Sequence, residues 1–65
     1  MIQVNGISQQ GFAGKTIRDL LQAQGLNPER VAVELNGEII RRANFDSAQL
    51  YDGDKIEIVH FVGGG

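Results

Sequence analysis

The stretch from Thr16 to Pro28, TIRDLLQAQGLNP, carries a helix with both of its ends written in. Thr16 is a good N-cap, and Asp19 three residues later can return the hydrogen bond of a capping box. Ile17, Leu20 and Leu21 fall on one helical face, with Arg18, Asp19 and Gln22 largely off it. Gly25 stands where a C′ residue in left-handed geometry is wanted. Leu26 is then C″, placed to pack back on Leu21 as a Schellman motif prefers, and Pro28 prevents further helix.

Outward from this helix the period changes to two. On the N-terminal side, MIQVNGISQQGF sets Ile2 and Val4 in alternation with Gln3, then Asn5-Gly6, then Ile7. Asn-Gly is the favoured pair for a two-residue type I′ turn, so this reads as a hairpin with strands near 1–5 and 7–12. On the C-terminal side, Val31, Val33 and Leu35 alternate with Ala32 and Glu34, Asn36-Gly37 makes a second turn, and Glu38, Ile39 and Ile40 begin the return strand. The segment 43–54 is polar and irregular, with room for one short helical turn and with Phe45 and Leu50 as its anchors into the core. Asp52-Gly53-Asp54 is a turn, and KIEIVHFV (55–62) is the last strand. From Ile58 to Val62 it is mostly apolar, which implies cover on both faces or a sticky surface.

The order is ββαβββ, an α+β class. One helix covers one face of a sheet, and the first and last strands are expected side by side in its middle. This is the β-grasp arrangement, a mixed sheet of about five strands with a helix packed across it. The class follows from the spacing; the strand order does not. The expected domain spans 1–62, followed by a flexible glycine tail at 63–65.

Composition narrows the function classes. The chain has 65 residues, 42% of them hydrophobic and 22% charged, with no cysteine. That is one small globular domain whose core comes from aliphatic side chains rather than disulfides or thiolate metal sites. The net charge of −2, with acids and bases interspersed, argues against a nucleic-acid groove. No apolar run approaches a membrane span, and MIQVNG lacks the basic and apolar regions of a secretion signal. A cytoplasmic protein, monomeric when free, is the expectation.

The interior offers little chemistry. His60 is the only histidine and has no cysteine beside it, so a His-based metal site lacks ligands and no metal is expected. Ser8 and Ser47 have no motif marking a nucleophile. Gly14-Lys15-Thr16 resembles the end of a phosphate loop, but the residues before it do not fit. Arg41-Arg42 is the only local basic pair, either a solvated strand end or charges that steer a protein partner.

The unusual feature is the end, HFVGGG. Gly63, Gly64 and Gly65 have no Cβ, and fixing them is entropically unfavourable. Extended, three residues reach about 10 Å, and a backbone without side chains passes through a slot that any larger residue would block. Gly65 carries an α-carboxylate with a reference pKa of about 3.5, ionised at neutral pH. A partner enzyme that aligns this carboxylate with the α-phosphate of ATP can convert it to an acyl-adenylate, which an amine or a sulfur nucleophile then attacks. The competing account is a frayed end or a linker remnant. Against it, an apolar strand runs straight into the glycines with no spacer.

Asn36-Gly37-Glu38, then Asp52-Gly53-Asp54 with the isoleucine-rich strand after it, then Gly64-Gly65, resemble in this order the ThiS family, the small sulfur carrier proteins of thiamine biosynthesis. The likeness covers nearly the whole chain, including the MIQVNG start. It implies a ubiquitin-like β-grasp fold and a non-catalytic carrier that binds no cofactor itself. A ubiquitin-activating-enzyme-like adenylyltransferase would use ATP and magnesium to adenylate Gly65. Sulfur from a cysteine desulfurase or another donor would leave a thiocarboxylate, which would be delivered to thiazole synthase. Gly64 and Gly65 map onto the family's diglycine, with Gly63 extending the arm into partner active sites. The small subunit of molybdopterin synthase shares the fold and the diglycine, but its members tend to carry prolines before the tail, and VHFVGGG has none. A β-grasp interaction module with an unused tail is the remaining alternative. For partner docking, the residues singled out are Phe61 and Val62 with Ile40, Arg41 and Arg42, an apolar patch rimmed by charge; Phe61 could equally belong to the core.

Overall fold

A computed structural model of the chain describes residues 1–61. The elements are β1 (Ile2–Val4), β2 (Ile7–Gln9), α1 (Ile17–Ala23), a 3-10 turn (Pro28–Arg30), β3 (Val31–Leu35), β4 (Glu38–Ile40), a second 3-10 turn (Arg42–Asn44) and β5 (Lys55–His60). The five strands form one sheet in the order β2-β1-β5-β3-β4. β1 and β5 run parallel, with Gln3 opposite Lys55 and Val4 opposite Ile56, while every other neighbouring pair is antiparallel. The first and last strands therefore meet inside a mixed sheet, as the β-grasp reading requires.

Both Asn-Gly pairs make the turns expected of them. Asn5 and Gly6 have φ of 50° and 82°, and Asn36 and Gly37 have 51° and 86°. Two successive positive φ values define the type I′ turn whose twist suits a tight hairpin, and Asn and Gly tolerate them best.

The helix closes as its sequence predicts. Thr16 and Asp19 form the reciprocal capping box, with Asp19 N–H donating to Thr16 Oγ1 at 3.1 Å and Thr16 N–H to Asp19 Oδ2 at 3.0 Å. At the other end Leu26 N–H donates to Leu21 O at 2.9 Å and Gly25 N–H to Gln22 O at 3.1 Å, the two bonds of a Schellman motif. Gly25 takes φ of 71°, the left-handed geometry that motif needs. Pro28 lies beyond that closure and, rather than excluding all helix, opens a 3-10 turn, capped by Asn27 Oδ1 accepting from Glu29 N–H. Proline at a first helical position loses no bond, because that N–H would be unpaired anyway.

Ile17, Leu20 and Leu21 of α1 pack on Ile2, Val4, Val31, Val33, Ile56 and Ile58 of the sheet. The irregular segment completes this layer with Phe45 and Leu50, both almost fully buried. It also satisfies the start of the helix: Ile17 N–H donates to Ala48 O at 3.0 Å and Arg18 N–H to Phe45 O at 3.0 Å. Orphan N–H groups at a helix start are expensive to bury, so the link is held by backbone pairing as well as by its two anchors.

Two strand boundaries differ from expectation. β2 ends at Gln9 rather than near 12, because the chain turns away through Gly11 and half-buries Phe12 against the core. β5 ends at His60 within the described residues, and Val59 on it is 60% exposed. The strand is covered on one face only, since the single helix lies on the other side of the sheet. Val62 and the glycine tail at 63–65 lie outside the described residues.

Two measurements check this account. Phe45→Ala should cost about 3–5 kcal/mol, comparable to the whole stability of a domain this small, and leave the chain largely unfolded in urea titrations. Hydrogen bonds from the backbone and side chain of Thr16 hold the Asp19 carboxyl below its ordinary value of 3.8. A depressed carboxyl stabilises the folded state above its unfolded pKa, and that contribution disappears as pH falls through the folded value. Asp19→Ala should therefore lower the melting temperature at neutral pH, and the difference from the parent protein should close in acid below the ordinary carboxylate range.

Candidate functional site

The end of β5 leads to the C-terminal segment, and its surroundings are built by strand register. Val33 lies opposite both Ile40 and Ile58, and these three belong to the helix-facing side. Glu34 lies opposite Ile39 and Glu57, and Ala32 opposite Val59, on the side that the helix leaves open. Alternation along a strand makes these two sets inevitable once Val33 and Ile58 are buried.

The open side carries large apolar groups. Ile39 is 74% exposed, Val59 60% and Phe61 60%. Glu34, Glu57 and Arg41 are exposed around them. Phe61 follows β5 directly, and its N–H donates to Arg30 O at 2.9 Å, which continues the β3–β5 register by one step. The choice between core and surface for this side chain is thereby made: Phe61 is on the surface.

The residues singled out for docking divide in space. Arg41 and Arg42 are exposed, with Arg42 opening the second 3-10 turn. Ile40 is placed differently from the sequence reading: it is half-buried and packed against the core, because its register with Val33 turns it toward the helix. The exposed isoleucine is its neighbour Ile39. Val59 belongs to the apolar 58–62 stretch that the sequence marks as doubly covered or sticky, whereas Ile39 carries no such signal, and only the pairing register separates it from Ile40 in an Ile-Ile doublet. Val62 and the three glycines, Gly63, Gly64 and Gly65, lie outside the described residues.

Nothing else on the described surface assembles chemistry. Among the described residues no three His, Cys, Asp or Glu side chains come close enough to hold a metal ion, and no helix is long and apolar enough to cross a membrane. His60 is exposed opposite Val31. A depression at the β2 edge is lined by Met1, Ile2, Gln9, Phe12 and Asp52, but the Asp52 carboxylate is engaged by the Met1 ammonium group. Arg18 pairs with Asp46. Ion pairs this exposed add little to stability and do not form a reactive site.

Comparison with known proteins agrees with the geometry. The sequence model described as the ThiS family matches residues 2–65. The chain is 46% identical over 67 residues to a sulfur carrier protein ThiS of Bacillus subtilis, covering both chains completely. It is 42% identical over 64 residues to a thiazole synthase of Magnetococcus marinus, where it spans only 20% of that protein's length. The crystal structure of the thiamine biosynthesis protein ThiS from Geobacter metallireducens superposes with a TM-score of 0.80 at 39% identity, covering 98% of this chain and 97% of that one. A family match that runs nearly end to end, a full-length relative and a shared ubiquitin-like β-grasp fold converge: this chain belongs to the ThiS family.

Proposed function

We propose that this chain is a sulfur carrier for thiamine (thiazole) biosynthesis and that the Gly65 carboxylate is the group that is modified. The observation that carries this reading is the family match across residues 2–65, which reaches the terminal glycines. The folded part contributes a stable handle and an apolar face, and it brings no nucleophile, acid–base pair or metal cluster together among the described residues. A carrier whose chemistry is performed by its partners fits such a surface.

The sequence of steps follows from the acid group. A ubiquitin-activating-enzyme-like adenylyltransferase supplies ATP and magnesium and aligns a carboxylate oxygen of Gly65 with the α-phosphorus. The P–O bond to pyrophosphate breaks and the acyl-adenylate forms. Attack by hydrosulfide then makes a C–S bond, expels AMP and leaves the thiocarboxylate. With a desulfurase persulfide as donor, an acyl disulfide forms first and a thiol reduces it. Thiazole synthase is the proposed recipient, supported by relatives of that name in which a segment like this chain is part of a longer protein. Gly63 and Gly64 provide a path without side chains into the partner active sites. A cytoplasmic location is proposed with these steps, which draw on ATP.

Docking is assigned to the open side of the sheet, through Phe61 with Ile39 and Val59 and with Arg41 at the rim; Val62 follows Phe61 in the sequence and is proposed to join the contact, whereas Arg42 lies beside Arg18 and Asn27. Apolar groups surrounded by charge are typical of transient interfaces, where the charges steer encounter and the apolar centre supplies affinity.

Two experiments test the proposal. Incubation with the adenylyltransferase, ATP and a sulfur source should raise the intact mass by the difference between one sulfur and one oxygen atom. Deleting Gly65, or adding a residue after it, should abolish that change with the melting temperature nearly unaltered; loading of either variant would refute the assignment. For docking, Phe61→Ala should shift stability by less than about 0.5 kcal/mol, as a surface substitution does, while weakening partner binding. Unfolding by Phe61→Ala would instead show that this side chain belongs to the hydrophobic core.

A further inference from the structure

We propose that Glu34 and Glu57 choose the occupant of the open sheet face: they admit a partner surface that sets a basic side chain among apolar groups, and they turn away a second copy of this chain. The proposal rests on the sulfur-carrier reading above, in which that partner is the adenylyltransferase. Glu34 and Glu57 stand directly opposite each other in the β3–β5 register, and Glu34 also stands opposite Ile39 on β4. Both are exposed. Val59 lies two residues beyond Glu57 on the same face, and Phe61 two beyond that. The two carboxylates therefore separate the exposed Ile39 from the exposed Val59 and Phe61. Side chains directly opposite on antiparallel strands have Cβ atoms about 5 Å apart, and like charges placed so destabilise the sheet.

The backbone holds the pair in this position. Asn5 N–H donates to Ile56 O at 2.9 Å. The Asn5 side chain then brackets Ile58, with Oδ1 accepting from its N–H at 2.7 Å and Nδ2 donating to its O at 3.1 Å. Glu57 is thus fixed from the β1 edge on either side of itself, and by β3 along the other edge. The chain supplies no counter-ion. The ion pairs among the described residues join Met1 to Asp52 and Arg18 to Asp46; the exposed Arg30, Arg41 and Lys55 form none with Glu34 or Glu57.

Charge complementarity decides what fits. Twofold pairing of two copies through this face sets the same patch against itself, bringing carboxylates toward carboxylates as water leaves. A guanidinium seated at the pair has the opposite effect, because it answers both carboxylates with charge-assisted hydrogen bonds. Ile39, Val59 and Phe61 are then covered around it. The repulsion that weakens the free domain is relieved on binding, so the same two residues cost stability and add affinity.

The test compares the full-length parent with Glu34→Gln, Glu57→Gln and Glu38→Gln. Glu38 is exposed but lies opposite Leu35, which packs against the core, so its substitution makes the same charge change away from the open face. The readouts are Kd for the adenylyltransferase at low and high ionic strength, thermal melting and sedimentation. Glu34→Gln and Glu57→Gln should each raise the melting temperature and weaken binding about fivefold at low ionic strength, and added salt should narrow that gap. Glu38→Gln should keep Kd within about twofold of the parent. Unchanged binding by both open-face variants, or an equal loss with Glu38→Gln, would overturn the inference and leave the carrier reading intact. Weaker binding accompanied by a lower melting temperature would also overturn it, by reducing the pair to a structural role. A parent that sediments as a dimer would give the face to a second copy, with the same consequence. A folded parent that is neither bound nor adenylated by an enzyme active on another carrier would overturn the carrier reading, and this inference with it.

Discussion

The pairing of β5 between β1 and β3 is the constraint on which the remaining structure depends. β5 is the last strand in the chain and lies at the centre of the sheet, so its insertion joins the two hairpins into one layer. It touches β1 in parallel across the longest sequence separation of any strand pair in the sheet, and it pairs antiparallel with the whole of β3. Ile56 and Ile58 supply the central part of the buried surface against α1. Without this strand each hairpin would be a two-stranded piece, marginal by itself in water.

A central strand that comes last has two edges held by very different means. The β3 edge is a continuous ladder; the β1 edge is short and finished by a side chain. Turn residues therefore do more than reverse the chain here. Asn5 and Asn36 are chosen for positive φ, and the same short amide that tolerates this geometry is also within reach of the β5 backbone. The irregular 43–54 segment behaves similarly: its carbonyls cap the helix start while Phe45 and Leu50 fill the core.

Among the described residues, one helix on a five-stranded sheet leaves one face without cover. In a carrier this asymmetry is useful. The covered face gives the stability of a small core, and the open face exposes Ile39, Val59 and Phe61 at and beside the end of β5. Membership of the ThiS family accounts for a chain with a well-formed fold and no reactive constellation among its described side chains.

Local order was legible in the sequence because its signals are local. The capping box of Thr16 and Asp19, the Gly25-Leu26 closure and both Asn-Gly turns depend on residues within a few positions of one another, and their physics needs no partner from elsewhere in the chain. The limits of β2 and β5, the placement of Ile39 rather than Ile40 on the open face, and the hold of Asn5 on Ile58 were decided by tertiary structure. Each is a matter of register between segments distant in sequence, and a shift of one residue would exchange the buried and exposed sets. Periodicity shows that a strand has two faces; only its neighbours determine which of them meets water.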